Sequence, residues 1–118
     1  MCARAQPAAP GPGRGDPDPW WGPDKALHFG ATATLAACGY AGGAIIFDDY
    51  LRSAALGSGI ALGAGIAKEM LDLAGLGHPS WKDFTWDVIG AAAGIGVALS
   101  IHLAARGTSA TSSPAAAR

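Results

Sequence analysis

Nine side chains that could do chemistry, namely five carboxylates, three lysines and one histidine, fall in three short segments of this chain. The segments span residues 24–28, 68–72 and 82–87, and long runs of Ala, Gly and aliphatic residues lie between the first two and after the third. The polar residues are Asp24, Lys25, His28, Lys68, Glu69, Asp72, Lys82, Asp83 and Asp87, which we call the polar cluster. Such oxygen and nitrogen donors would suit a divalent cation. A histidine with carboxylates could also do general acid–base work on an ester or a lipid-linked phosphate.

Five members of the cluster are candidate catalytic or ligating residues: His28, Glu69, Asp72, Asp83 and Asp87. Their spacing is not specific, since the chain has no H-E-x-x-H, G-x-S-x-G, C-x-x-C or P-loop motif. No cofactor is therefore predicted, although a divalent cation would fit the donors. The lysines could equally neutralise the carboxylates in a purely structural network. A structural network, a ligand site and a catalytic site all remain open.

Local signals predict three helices that would position these residues. Proline suits the first helical position, so the first helix begins near Pro23. Asp48 and Asp49 can cap the second helix, and Gly75 is typical of its end. Ser80 opens a capping box that starts the third helix. The predicted helices span residues 23–47, 50–74 and 80–106. Few stretches alternate as strands do, so the predicted fold class is all-α, a small three-helix bundle.

The two ends of the chain differ in composition from the middle. Residues 1–19 are rich in Pro and Gly and predict a disordered leader, and residues 107–118 predict a disordered tail. Residues 20–106 would form a single helical domain. Alanine at Asp16 or Asp18, within the leader, is expected to be nearly silent.

Small and large residues segregate to opposite faces of the second and third helices, and the charged residues share the small faces. The small faces carry Ala54, Gly57, Ser58, Ala61, Gly65, Lys68 and Asp72, and then Asp83, Asp87, Gly90, Ala91, Gly94 and Ala98. In the first helix, His28, Thr32, Gly39 and Gly42 share a face, but so do Leu35 and Ile46. A soluble bundle would pack its large residues inward, whereas helices in lipid approach closely through small residues.

The composition fits a membrane bundle. The chain is 50% hydrophobic and 14% charged, against about 25% charged for a typical soluble domain. Its uncharged runs are 22, 15 and 18 residues long, where spanning needs about 20. The alternative is a soluble bundle whose large faces meet a helical partner or a second copy of the chain.

Three helices that run up, down and up would bring the polar segments to the same end. All four tryptophans flank that end, as they would in an interfacial aromatic belt. We expect Asp72 and Asp87 to face each other near His28, with Asp72 the most sensitive position. His102 is alone near the end of the third helix.

Three stretches together resemble a known family: "PDKALHFGATATL", "RSAALGSGIALGAGIAKEMLD" and "GHPSWKDFTWDVIGAAAG". Residues 21–97 are similar to the YfiM-type family of predicted bacterial lipoproteins, whose function is unknown, and more loosely to VanZ-like membrane proteins. The resemblance implies a location in the bacterial cell envelope. It places Cys2 where the family has a lipid-modified cysteine, although no apolar segment or lipobox precedes it here. If Cys2 is lipidated, the polar cluster would lie on the periplasmic side.

The sequence thus predicts a small, membrane-associated envelope protein of unknown activity, with a structural or ligand-binding polar cluster. The alternative is a membrane enzyme that acts on a lipid headgroup or a lipid-linked phosphate through His and carboxylates. Membrane lipid is the expected partner. Nucleic acid is not expected, since nothing in a net charge of −1 suggests a nucleic-acid surface.

Overall fold

The computed structural model describes residues 15–111. This part of the chain contains three α-helices and no strand, which confirms the all-α prediction. The helices are α1 (Pro23–Phe47), α2 (Tyr50–Leu71) and α3 (Trp81–Thr111), and a π-helical turn (Asp72–Leu76) follows α2. Cys2 and the outer parts of the leader and tail lie outside the described residues, so lipidation and disorder there stay predictions.

The turn between α1 and α2 is built by two consecutive aspartates. Asp48 ends α1 in the left-handed region, with φ 49°. Asp49 caps α2, because its carboxylate accepts a hydrogen bond of 2.7 Å from the backbone N–H of Arg52. This reverses the chain within two residues, so α1 and α2 are antiparallel neighbours.

Two helix ends differ from the prediction. Regular α2 ends at Leu71 rather than near residue 74, and the π-helical turn then leads to Gly75, whose φ of 96° breaks the helix. At the other end, α3 continues beyond residue 106 to Thr111. In this last part Thr108 and Thr111 donate side-chain hydrogen bonds to backbone carbonyls of the preceding turn, so these hydroxyls are satisfied within the helix.

Helix α1 is central: it packs along both α2 and α3, which touch each other less. Glycines bring the backbones together. A Cβ added to Gly39 would lie 2.7 Å from the Cα of Gly57, and one added to Gly43 would lie 2.7 Å from the Cα of Ser53. On the α3 side, a Cβ on Gly94 would collide with the backbone of Ala33. Helix α1 therefore packs against both of its neighbours through small residues.

The buried faces of α2 and α3 are the predicted small faces, and both contain buried glycines. Helix α1 differs in detail. Gly43 is buried against α2, whereas a Cβ on Gly42 would meet nothing within 4 Å. Leu35 and Ile46, which the sequence placed on the same face, are both exposed.

Small and polar residues fill the interior, and large apolar residues cover the outside. The buried hydrophobic residues are Ala36, Tyr40, Ala61 and Ala91, and the buried polar ones are Lys25, Thr32, Ser53, Asp83 and Asp87. Ile45 is 87% exposed. Within the described residues, α1 and α3 are long and apolar enough to cross a membrane. Helix α2, whose small face is rich in Ala and Gly, is not among these candidate membrane-spanning helices.

Candidate functional site

The structure brings the three polar segments together at one end of the bundle. The start of α1, the end of α2 and the start of α3 meet there, so residues up to 59 positions apart come into contact. All nine residues of the polar cluster take part in at least one ion pair or histidine–carboxylate contact in this region. The convergence follows from the antiparallel course of successive helices.

Asp83 is the centre of the cluster. It is 3% exposed. Its Oδ1 contacts the Nζ of Lys25, which is itself buried. Its Oδ2 lies 3.3 Å from the Nζ of Lys68 and 3.5 Å from the Nε2 of His28. One carboxylate of α3 therefore joins cationic groups of both other helices.

His28 lies between two aspartates of α3. Its Nδ1 is 2.9 Å from the Oδ1 of Asp87, and its Nε2 faces Asp83. The remaining oxygen of Asp87, Oδ2, is buried and has no hydrogen-bond partner among the described residues. Gly65 makes room for it, since a Cβ there would lie 2.5 Å from this oxygen. Asp87 thus orients the imidazole and keeps one acceptor unused.

Asp72 occupies a different position from the one predicted. Its Oδ2 lies 2.6 Å from the Nζ of Lys68, one helical turn earlier, and its carboxylate packs against Gly77. It therefore belongs to the α2 side, whereas Asp87 pairs with His28 on the α1 side. Asp83 connects these two halves, so the structure favours Asp83 over Asp72 as the most sensitive position.

Glu69 fixes the turn that enters α3. Its Oε2 accepts a hydrogen bond of 2.8 Å from the backbone N–H of Ser80, and Ser80 Oγ accepts one of 3.2 Å from the N–H of Asp83. This is half of the predicted capping box. The second half is missing because the Asp83 carboxylate pairs with Lys25 and Lys68 instead.

The segment before α1 takes part in the cluster, contrary to the expectation that Asp16 and Asp18 are silent. Asp18 Oδ1 is 2.5 Å from the Nζ of Lys25, and its Oδ2 accepts a hydrogen bond of 2.7 Å from Ser80. Asp16 pairs with Lys82 at 2.7 Å. The hydrogen bond from Lys25 lowers the pKa of Asp18, and the one from Lys82 lowers the pKa of Asp16. These residues therefore form a charged strap across the end of the bundle.

The tryptophans hold this strap. Trp20 packs edge-on against Trp81 with ring centroids 4.8 Å apart, and Trp21 against Trp86 at 5.1 Å. Trp86 Nε1 donates a hydrogen bond of 2.9 Å to the backbone oxygen of Trp20. All four tryptophans of the chain thus lie at the polar end, as the sequence predicted.

A cavity of about 290 Å³ opens between α1 and α2 beside the cluster. Asp24, His28, Lys68 and Asp87 line one part of it. Leu27, Ala31, Leu35 and Ala64 line the rest. One end is therefore charged and the other apolar, a division that suits an amphiphilic molecule.

The cluster also contains a set of donors that could hold a cation. Asp24, His28 and Asp83 each bring one donor atom within 4.8 Å of the other two. A carboxylate that orients a histidine from behind, as Asp87 does here, is the common outer-shell arrangement of metal-binding histidines. Asp83 already contacts two lysines, so an incoming cation would have to displace an ammonium group.

At the opposite end of the bundle lies a smaller polar group that the sequence did not predict. His102, expected to be alone, has its Nδ1 2.9 Å from the hydroxyl of Tyr40 and accepts a hydrogen bond of 3.1 Å from the Nε of Arg106. Arg106 also pairs with Asp48 in the α1–α2 turn. In the sequence, only the spacing of His102 and Arg106, four residues or about one helical turn apart, could have indicated that these two side chains meet.

Comparison of the chain with models of protein families, with curated proteins and with solved structures finds no match.

Proposed function

We propose that this protein is embedded in a membrane of the bacterial cell envelope and that its polar cluster binds a lipid headgroup at the membrane surface. The observation that supports embedding is the reversed packing, with charged and small residues inside and large apolar residues outside. Lys25 and Asp87 are buried, whereas Ile45 and Leu51 are more than three-quarters exposed. In water this arrangement would expose apolar surface without compensation, and in lipid it would not.

The envelope location rests on the resemblance to YfiM-type lipoproteins and VanZ-like membrane proteins. The four tryptophans at the polar end agree with it, because indole rings favour the membrane–water interface. The cluster would then lie at headgroup level, on the periplasmic side if Cys2 is lipidated.

Membrane embedding is tested by fractionation of cells that express the full chain. We expect the protein to stay in the membrane pellet after alkaline carbonate extraction and to be released by detergent. Release by carbonate of a folded, helical protein would refute embedding and favour a soluble bundle with a partner.

The cavity beside the cluster indicates the chemistry of the headgroup. Asp87 Oδ2 is a buried acceptor without a donor, and Asp24 adds a second carboxylate to the same wall. A phosphate alone would be repelled by these carboxylates, but an ammonium group would supply the missing donor. Lys68 could then take the phosphate, and Leu27 and Leu35 the first part of an acyl chain. An aminophospholipid meets all three requirements.

This proposal is tested with the full chain in mild detergent, supplemented with phosphatidylethanolamine. Retained lipid is counted by native mass spectrometry. Asp87→Asn should lose the lipid, because the amide presents less acceptor capacity and no charge. Asp48→Asn, the same change at the other end, should retain it. Equal retention by Asp87→Asn and the wild type would refute the site. Metal analysis of the same sample shows whether a divalent cation takes the place of the ammonium group.

A second candidate function is catalysis at the same place, and the position of His28 is what favours it. Its Nδ1 is held by Asp87, and its Nε2 lies 3.5 Å from Asp83 and could exchange that contact for a substrate group as a general base or acid. The substrate would be an ester or a phosphate of the bound lipid. The test is hydrolysis of phospholipid and lipid-linked phosphate in mixed micelles. Activity that disappears in His28→Gln while lipid retention persists would support an enzyme, and no turnover by the wild type would refute it.

A further inference from the structure

The group around Tyr40 lies at the opposite end from the polar cluster and borders a second cavity. This cavity measures about 500 Å³ and opens between α1 and α3. Its walls are apolar, including Ala41, Ile45, Val97 and Ile101, and its polar groups are Tyr40 and His102. Ile45, Val97 and Ile101 are exposed on the outer surface, so the opening faces the same side as the large apolar residues.

The hydrogen bonds determine which nitrogen of His102 carries its proton. Arg106 is always protonated, so its Nε–H is the donor toward His102 Nε2. The Nε2 atom must therefore be a lone-pair acceptor, and the single proton of the neutral imidazole lies on Nδ1. Nδ1–H then donates to the hydroxyl oxygen of Tyr40, 2.9 Å away.

This leaves the hydroxyl proton of Tyr40 without an acceptor. Within residues 15–111, His102 is the only hydrogen-bond partner of that hydroxyl. Because His102 donates to the hydroxyl oxygen, it cannot also accept the hydroxyl proton. Tyr40 is 2% exposed, so water does not replace the missing partner freely. A buried donor without an acceptor costs free energy, and the cavity beside it is where an acceptor could enter.

We propose that this cavity binds a membrane glycerophospholipid, whose acyl ester carbonyl accepts the hydrogen bond of Tyr40. The ester carbonyl is the acceptor that a lipid carries next to its chains, at the depth where apolar walls begin. The chain would lie along Val97 and Ile101. The phosphate would point to the end of the bundle, where Arg106 provides a cation with N–H groups beyond those used for His102 and Asp48.

The site is distinct from the headgroup site of the polar cluster and shares only the membrane location with it. Failure of one proposal is therefore separable from failure of the other, because one depends on Asp87 and the other on Tyr40. Embedding itself is tested by carbonate extraction, which involves neither residue.

The first experiment concerns the tautomer and needs no ligand. Nitrogen-15 NMR of the full chain in detergent should show His102 neutral, with its proton on Nδ1. A neutral ring with its proton on Nε2 would overturn the argument, because Nδ1 would then accept the hydrogen bond of Tyr40 and the hydroxyl would need no other acceptor.

The second experiment measures lipid retention, with phosphatidylglycerol as the probe. Tyr40→Phe removes the donor and keeps the ring, and we expect about a fivefold loss of retained lipid, the effect of one neutral hydrogen bond. Tyr50→Phe is the matched control, since Tyr50 contacts His102 and Arg106 through its ring, which phenylalanine keeps, and it should retain the lipid.

Circular dichroism must show Tyr40→Phe to be as helical as the wild type. In carbonyl-labelled lipid the infrared ester band should show a hydrogen-bonded component in the wild type that Tyr40→Phe lacks. Equal retention by both tyrosine variants, an unchanged ester band, or retention that depends on Asp87 instead would each overturn the site.

Discussion

Asp83 offers the sharpest test of how the bundle is held together. Its carboxylate is buried and contacts Lys25, Lys68 and His28, which belong to the two other helices. Asp83→Asn keeps the shape of the side chain and removes its charge. The perturbation therefore leaves the packing intact and isolates the electrostatic part of the contact.

The expected loss of stability depends on which carboxylates still pair with the two lysines after the substitution. Removal of one partner from a buried ion pair costs about 3–5 kcal/mol, because the other charge stays buried. Lys25 is 4% exposed but retains Asp18 at 2.5 Å, and Lys68 is 39% exposed and retains Asp72. We therefore expect the lower end of the range, about 3 kcal/mol. For a domain of this size that corresponds to a fall in Tm of roughly 12 °C or more.

The assay is thermal unfolding of the full chain in detergent, followed by far-ultraviolet circular dichroism. Asp24→Asn is the matched control, because Asp24 is 65% exposed and lies 3.5 Å from Lys25. An exposed pair of this kind contributes at most about 1 kcal/mol. If Asp83→Asn and Asp24→Asn melt at the same temperature, Asp83 does not join the helices and the reasoning fails.

A double variant separates an unpaired charge from lost packing. Lys25→Met with Asp83→Leu removes both charges and replaces them with apolar groups of similar shape. Such replacements are often neutral or stabilising. The double variant should therefore be more stable than Asp83→Asn alone. A double variant that is less stable would show that the cost lies in packing.

Two further predictions concern packing and pH. Gly94→Ala should destabilise the bundle by about 1–3 kcal/mol, because the added Cβ meets the backbone of Ala33. Gly96→Ala is the control, since a Cβ there meets nothing within 4 Å. It should be neutral or slightly stabilising in the same melting assay. For Asp18, the pKa is lowered from its usual 3.8, so its stabilising contribution is present above that value and is lost as pH falls through the lowered pKa. Asp18→Asn should be less stable than the wild type at neutral pH, and its melting curves should show a smaller loss towards acidic pH, because Asp16, whose pKa is also lowered, still titrates.

The sequence was sufficient for the fold class and for the buried faces of α2 and α3. Each of these helices packs mainly against α1, so its small residues recur on a single face and the period is readable. Helix α1 packs against both neighbours. Its buried positions, such as Thr32, Tyr40 and Gly43, belong to two contact faces. The two faces do not share one helical period, so the sequence pattern indicated Gly42, and Gly43 was missed.

The parts of the site that were missed depend on contacts between distant residues. Residues 15–19 have the composition of a disordered segment, yet Asp18 meets Lys25 and Ser80, the latter 62 positions away. The Tyr40–His102 contact also joins residues 62 positions apart. Local composition and periodicity carry no information about such pairs until the helix order and crossing points are known.

The two unusual features of this bundle explain each other. Its interior is built from Ala and Gly, so burial of apolar surface contributes little to helix association, and the large residues that could contribute it are outside. Close backbone packing and ion pairs must then supply the association. The lysine–aspartate contacts are concentrated at one end, beside the tryptophans, and not in the middle of the bundle, where removal of charges from water would cost most. A lipid environment would require both apolar faces directed outward in the middle and charges gathered at the end. The position of the polar cluster therefore supports the proposed membrane location.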